Sequence, residues 1–396
     1  MLRIALVIGL LGAVGPFAID MYLPAMPLIA AEFGVSAQAL QMTLTTYFLA
    51  FGVGQLVYGP LSDQMGRRAP MLIGLAIFLL GTLACALAPS VAALAVGRLV
   101  QGLGAAAVMV VPRALIRDLY SGPQATRLMA LVMLVISVSP MLAPLAGSGM
   151  MAIAGWRWIF GALAIAAAFS IALTVLALPE TLAPTDRMPM RPASLLAGSG
   201  RLLRDREFMG LTLIGGFAMA SFFVFIASAA FVYVESFGLT PTQFSLAFAI
   251  NAAGFFAASQ LAGTLGNRYG MRRVVTVATA GFAAVTLALV TLVAAGLGTL
   301  PVIVVMLVLA NACLGPVMPT TMVLALDPHP DVAGLASSLG GAIQMLVGGG
   351  MIALASPFFD GTAMPMVAAI AACGVLALGA VAATMGPGAR RADVRR

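Results

Sequence analysis

The chain has 396 residues, of which 62% are hydrophobic and 8% charged, with a net charge of +7 and a mean hydropathy of +1.09. A soluble domain carries about 25% charged residues, so these few charges could not cover a soluble surface, and an integral membrane protein is expected. The positive charge does not indicate nucleic acid, because all 20 basic residues are Arg and most fall in short loops between apolar runs, as in the cytoplasmic loops of membrane proteins.

Apolar runs long enough to span a bilayer recur at 4–30, 39–61, 70–88, 92–116, 128–152 and 157–178. A polar break at 179–207 follows, with Pro179, Pro184, Pro189 and Pro192 among Arg187, Arg191, Arg201, Arg204 and Arg206. Six more runs cover 208–236, 242–265, 274–297, 301–325, 334–358 and 364–386. The expected architecture is all-α, with twelve membrane helices. A six-helix half at 1–178 and another at 208–396 flank a central loop at 179–207. Arg3, Arg67, Arg68, Arg117, Arg127, the five Arg of the break, Arg268, Arg272, Arg273, Arg390, Arg391, Arg395 and Arg396 fall on one set of loops and the termini. Only Arg157 falls on the other set. That asymmetry places both termini and the central loop in the cytoplasm.

The first run contains FAIDMYLPAMP, Phe17 to Pro27, with one acid, Asp20, among Pro16, Pro24 and Pro27. On a helix, Gly12, Pro16, Asp20 and Pro24 would form one row. Such a row either packs closely on a neighbour or borders a cavity where irregular backbone is tolerated. Asp20 is the candidate titratable group. The alternative is a neutral acid bonded to freed backbone groups. GPLSDQMGRR, Gly59 to Arg68, follows the second run, and its glycines permit a tight turn. In the fourth run Arg98 must face the bundle interior and find a partner, because a guanidinium facing lipid is costly. Gln101 shares its face. Arg113 lies about 60° round an ideal helix from Arg98; it either lines the same cavity or snorkels to the edge with Arg117. SPMLAPLAG, Ser139 to Gly147, carries Pro140, Pro144 and Gly147 in the fifth run. Glu235 at the end of the seventh run reads as a rim residue.

The loop after the eighth run, GTLGNRYGMRR, repeats the earlier loop at a shift of 204, with Gly263, Asn267, Gly270 and Arg272 on Gly59, Asp63, Gly66 and Arg68. Matching loops in two halves indicate a duplicated transporter with its substrate site between the halves. Cys85, Cys313 and Cys373 are scattered singly in apolar runs and read as core residues. His329, the lone histidine, sits in the polar loop DPHPD without a partner at metal-ligand spacing. One His argues against a membrane enzyme. No phosphate-binding loop is present, which excludes ATP as the energy source. No cofactor, metal or nucleic acid is expected.

GPLSDQMGRR matches the signature G-x-x-x-D-x-x-G-R-R/K of the major facilitator superfamily at every fixed position. RLVQGLGAAA, Arg98 to Ala107, resembles the fourth-helix motif of that superfamily. SPMLAPLAG resembles its antiporter motif, departing at Ala143 and Ser148. FAIDMYLPAMP, RALIRDLY (Arg113 to Tyr120) and AGLASSLGGAIQ (Ala333 to Gln344) resemble the bicyclomycin/chloramphenicol-resistance (Bcr/CflA) branch of drug:proton antiporters. The resemblance implies a monomeric efflux antiporter of the bacterial inner membrane, driven by the proton motive force. Phenicol- or bicyclomycin-type drugs are the implied substrates, with an endogenous metabolite such as an amino acid, or proton-coupled import, as alternatives. It implies proton coupling at Asp20 and Arg98, and a cytoplasmic gate clamp between the halves at Gly59, Asp63, Gly66, Arg67 and Arg68. Asp20, Tyr22, Tyr47, Gln101, Arg113, Phe223, Phe225, Tyr233 and Gln260 would line the substrate site. Asn267 departs from the acid of the signature.

Overall fold

The computed structural model describes residues 2–119, 122–187 and 192–385. Tyr120, Pro189, Arg191 and the arginines at 390, 391, 395 and 396 lie outside the described residues, as do the side chains of Arg3, Arg117 and Arg127. Among the described residues twelve helical segments are long and apolar enough to cross a membrane, and no strand occurs. The chain divides into two compact units, Met1–Leu195 and Leu196–Arg396.

In the first unit, α1 (Leu2–Asp20) and α2 (Met26–Phe33) share one span, interrupted by a 3-10 turn at Leu23–Ala25. The prolines dictate the interruption. Pro24 has no N–H for the Asp20 carbonyl and Pro27 has none for Leu23. The chain tightens instead: Tyr22 N–H donates to Ile19 O at 3.3 Å, Ala25 N–H to Tyr22 O at 3.1 Å, and Met26 N–H to Leu23 O. Pro16, by contrast, sits inside α1 without ending it. The row expected through Gly12, Pro16, Asp20 and Pro24 therefore stops at Asp20, and Pro24 falls in the turn.

Next come α3 (Ala37–Met65), N-capped by the Ser36 hydroxyl, α4 (Arg68–Ala86) and α5 (Val91–Leu119). The unit closes with α6 (Gly122–Ala154) and α7 (Arg157–Ala177). Helix α5 packs against α3 and α4, and glycines set the distance. A Cβ on Gly54 would lie 2.7 Å from Ala106 Cβ, and one on Gly104 would lie 2.7 Å from Phe78 Cα. Lipid tails are as apolar as Leu, so membrane helices associate by such close packing rather than by the hydrophobic effect.

The second unit begins in the stretch expected to be loop. Helix α8 (Pro192–Arg204) packs Leu202 into a buried cluster with Phe208, Leu211, Ala325, Ala336 and Leu339. Asp205 breaks the helical run and N-caps α9 (Arg206–Phe231), accepting from Glu207 N–H at 2.8 Å and Phe208 N–H at 2.9 Å. A π-helical turn at Val232–Ser236 follows. Then come α10 (Pro241–Gln260), opened by a Thr240/Gln243 capping box, α11 (Ala262–Tyr269) and α12 (Met271–Ala294). The span containing α13 (Leu300–Leu314) and α14 (Val317–Leu326) steps at Gly315–Pro316, and α15 (Ala333–Ala355) and α16 (Ala363–Met385) complete the unit. A buried amide pair, Asn311 Nδ2 to Asn251 Oδ1 at 3.3 Å, joins α13 to α10.

His329 differs from the open-loop reading. It is 5% exposed, its Nε2 lies 3.4 Å from Asp205 Oδ2, and its ring meets Phe208 edge-on at 5.8 Å. It anchors the loop before α15 to the cap of α9.

Candidate functional site

Arg98 is completely buried on α5. Its Nη1 donates to Ala18 O at 2.9 Å and to Gln101 Oε1 at 2.6 Å. Its guanidinium carbon lies 4.7 Å from the Tyr22 ring centroid and 4.4 Å from that of Tyr47. Gln101 is held in turn by Nε2 donating to Thr82 Oγ1 at 2.8 Å, and Thr82 donates to Phe78 O. The Tyr22 hydroxyl bonds Thr43 Oγ1 at 2.9 Å, and the Tyr47 hydroxyl donates to Gly15 O at 3.2 Å.

The first helix explains the guanidinium's backbone contact. In an unbroken helix Tyr22 N–H would bond Ala18 O. Here that N–H turns to Ile19 O, which leaves the Ala18 carbonyl for Arg98. The break supplies a backbone dipole for a buried cation, Gln101 Oε1 supplies a second acceptor, and two aromatic faces flank the group. Such a ring contact is worth about 2 kcal/mol when desolvated.

Asp20 is 4% exposed at the last position of α1, two residues from both Ala18 and Tyr22. It forms no ion pair with Arg98, contrary to the expected partnership. The two groups share one buried region, while Nε and Nη2 of Arg98 have no hydrogen-bond partner. Thus five expected residues, Asp20, Tyr22, Tyr47, Arg98 and Gln101, come together. Arg113 lies half-buried further along α5, beside Pro112.

On α6, Pro140, Pro144 and Gly147 share a buried face with Ser139, Ala143 and Ser148. A Cβ on Gly147 would lie 2.9 Å from the Met21 carbonyl carbon, so this face packs against the break itself. In the second unit, Phe225 stacks on Phe248 at 5.6 Å and meets Tyr233 at 6.4 Å, whose hydroxyl is buried without a partner. Phe223 packs on Gly348, and Gln260 is exposed at the end of α10.

The loop after α3 turns at Gly66, with φ +87. Arg67, 5% exposed, forks onto Asp118, with Nε to Oδ2 at 2.6 Å and Nη2 to Oδ1 at 3.1 Å. Its Nη1 reaches Asp63 Oδ1 at 2.7 Å and Ser62 Oγ at 3.1 Å. Glu180 accepts the backbone N–H of Arg67 at 2.7 Å and of Arg68 at 3.2 Å. Burial pushes the Glu180 carboxyl up, but the N–H groups of Arg67, Arg68 and Leu182, with Arg187 nearby, outweigh it and hold it below its ordinary value. Arg68 donates to Val175 O at 2.7 Å, and the Asp63 side chain stays 58% exposed. Asp118, Glu180, Asp63, Ser62 and Val175 all belong to the first unit, within which the loop acts as a staple.

Asp118 and Glu180 were not singled out by sequence reasoning. Asp118 lies inside the quoted RALIRDLY, but nothing in its spacing identifies it, because its partner is 51 residues away.

The repeated loop keeps the backbone and not the charges. Gly270 has φ +85, matching Gly66. The shift of 204 places Met271 on Arg67, Asn267 on Asp63 and Met322 on Asp118. What remains is an exposed pair between Arg272 and Glu207.

The profile described as Major Facilitator Superfamily matches residues 8–353. An uncharacterized MFS-type transporter of Bacillus subtilis is 34% identical over 370 residues, covering 92% of this chain and 91% of that protein. A bicyclomycin resistance protein homolog of Haemophilus influenzae is 30% identical over 378 residues, covering 94% of each. A crystal structure of a D-xylose–proton symporter superposes with a TM-score of 0.72 over 96% of this chain and 95% of that one, at 17% identity. That last likeness concerns the fold.

Proposed function

Because the chain belongs to the major facilitator superfamily, in its bicyclomycin/chloramphenicol-resistance branch, we propose that it is a proton-coupled efflux antiporter of the bacterial inner membrane. It expels small amphipathic or apolar compounds of the bicyclomycin or phenicol type by alternating access, with both termini in the cytoplasm. The observation that carries this reading is a carboxyl and a guanidinium buried together where the first span is broken. Ionisable groups are rare inside a membrane and mark ion and substrate pathways.

In this reading Asp20 carries the proton and Arg98 sets the field it feels. Antiport requires proton and substrate to compete for one conformation. A charged Asp20 draws the guanidinium and its aromatic partners one way. A neutral Asp20 leaves Arg98 to the Ala18 carbonyl and the two rings. The broken backbone supports the reading, since irregular chain at membrane depth is tolerated where it lines a cavity. One proton moving down ~100 mV supplies ~2.3 kcal/mol, enough for a roughly fifty-fold gradient of a neutral substrate.

The test is substrate accumulation in everted membrane vesicles under an imposed pH gradient, with bicyclomycin and chloramphenicol as probes. Asp20→Asn, which mimics the neutral acid, should insert normally and lose gradient-driven accumulation, while Asp20→Glu keeps part of it. Wild-type accumulation by Asp20→Asn vesicles would mean that the proton travels elsewhere.

A further inference from the structure

The aromatic contacts of Arg98 continue beyond the guanidinium. Tyr22 packs against Phe160 with centroids 5.9 Å apart, Phe160 meets Trp156 edge-on at 6.1 Å, and Trp156 meets Phe33 edge-on at 5.8 Å. Arg98, Tyr22, Phe160 and Trp156 are each at most 3% exposed. At the far end, Trp156 Nε1 donates to Glu32 Oε2 at 2.6 Å and Arg157 Nη1 donates to Glu32 Oε1 at 2.5 Å. The Arg157 guanidinium lies 4.2 Å from the Trp156 centroid.

The chain order gives this line its meaning. Glu32 and Phe33 end α2, the arm beyond the break, and Tyr22 lies in the break itself. Gly155, at φ +84, turns the chain into α7, with Trp156 at its head and Phe160 one turn on. Residues on α7 therefore hold this segment at two places, at Tyr22 in the break and at Glu32 near the end of α2. Close-packed interiors transmit displacement rather than absorb it. The compliant part is the break, where two prolines have removed helical hydrogen bonds.

We propose that Trp156, Phe160 and Glu32 are positioning residues for the Asp20–Arg98 site, clamping α2 so that Tyr22 stays over the guanidinium and relaying a change of charge at Asp20 to Trp156. None of the three hydrogen-bonds to Asp20 or Arg98. The proposal rests on the reading that Asp20 changes charge. The ionisable groups facing the line are Arg98, Tyr47 and Cys85 at its inner end, and Glu32 and Arg157 at its outer end.

The protein contains only two tryptophans. Trp156 is 3% exposed and Trp158 is 58% exposed. Trp158→Phe therefore leaves a single buried emitter at the end of the line. The experiment records Trp156 emission from the full-length protein in lipid nanodiscs as pH is varied. Emission should titrate in Trp158→Phe. The titration should survive Glu32→Gln, which removes the local acid but keeps an amide oxygen to accept from Trp156 Nε1 and so keeps the clamp, and Phe33→Leu, which removes only the ring beyond Trp156. It should vanish in Asp20→Asn, and in Phe160→Leu while that variant retains a wild-type elution volume. Flat emission in the parent, or a titration that persists through Asp20→Asn or Phe160→Leu, overturns the relay. Vesicle accumulation by Asp20→Asn separately decides the function, so a failed relay and a failed functional reading are told apart.

Discussion

Replacing Arg67 by Met imposes on the first unit what the second already has at Met271. The substitution removes the fork onto Asp118 and the contacts to Asp63 and Ser62. Breaking a buried pair by deleting one partner costs about 3–5 kcal/mol, because the other charge is left unpaired. This case falls below that range. The Asp118 side chain keeps 17% exposure and Asp63 keeps 58%, and an exposed pair is worth about 0–1 kcal/mol. A cost of about 2–3 kcal/mol follows, or roughly 5–10 °C in melting temperature for a unit of this size. Cys85 and Cys373 are buried, so a thiol-reactive fluorophore reports melting of the purified protein. Arg272→Met removes only an exposed pair, with side chains 49% and 38% exposed, and should lower the melting temperature far less. Adding Asp118→Leu to Arg67→Met should recover much of the loss, because hydrophobic replacement of a whole buried pair is often neutral. Equal melting of Arg67→Met and Arg272→Met would refute the assignment of a buried staple to one loop and a surface pair to the other.

The Glu180 carboxyl is held below its ordinary value, so its contribution is complete above the unfolded carboxylate range and is lost as pH falls through the folded value. Melting temperature against pH should therefore drop on the acid side, and Glu180→Gln should make that limb shallower; superimposable limbs would remove Glu180 from the account. Gly104→Val would drive a side chain onto the Phe78 backbone, which cannot move aside as a flexible side chain can. A collapsed monodisperse peak in detergent size-exclusion is expected, whereas Gly149, with nothing within 4 Å of an added Cβ, should accept Val unchanged.

Much of the molecule is readable from composition and period, because those signals act over a single helix. The twelve apolar runs follow from the cost of unsatisfied backbone in lipid. The duplicated loops follow from glycines that must adopt positive φ, and Gly66 and Gly270 do so. The prolines of FAIDMYLPAMP announced disturbance, although where the helix stops, at Asp20, depended on which carbonyls lose donors and where the chain tightens. The burial of Arg98 was legible too, since a guanidinium in a membrane run must point inward.

What the sequence could not decide was what each buried group meets. Arg98 takes a carbonyl 80 residues away rather than the Asp20 carboxyl. Arg67 takes Asp118 and Glu180, 51 and 113 residues away. His329 caps onto Asp205 instead of facing solvent. Helix α8 forms in a stretch that reads as polar loop because one turn of it can bury Leu202 against Phe208. Hydropathy records whether a residue leaves water, and that preference belongs to the residue. A partner belongs to the packing of several helices, fixed by where glycines let backbones approach and where prolines free a carbonyl, and only the tertiary structure decides it.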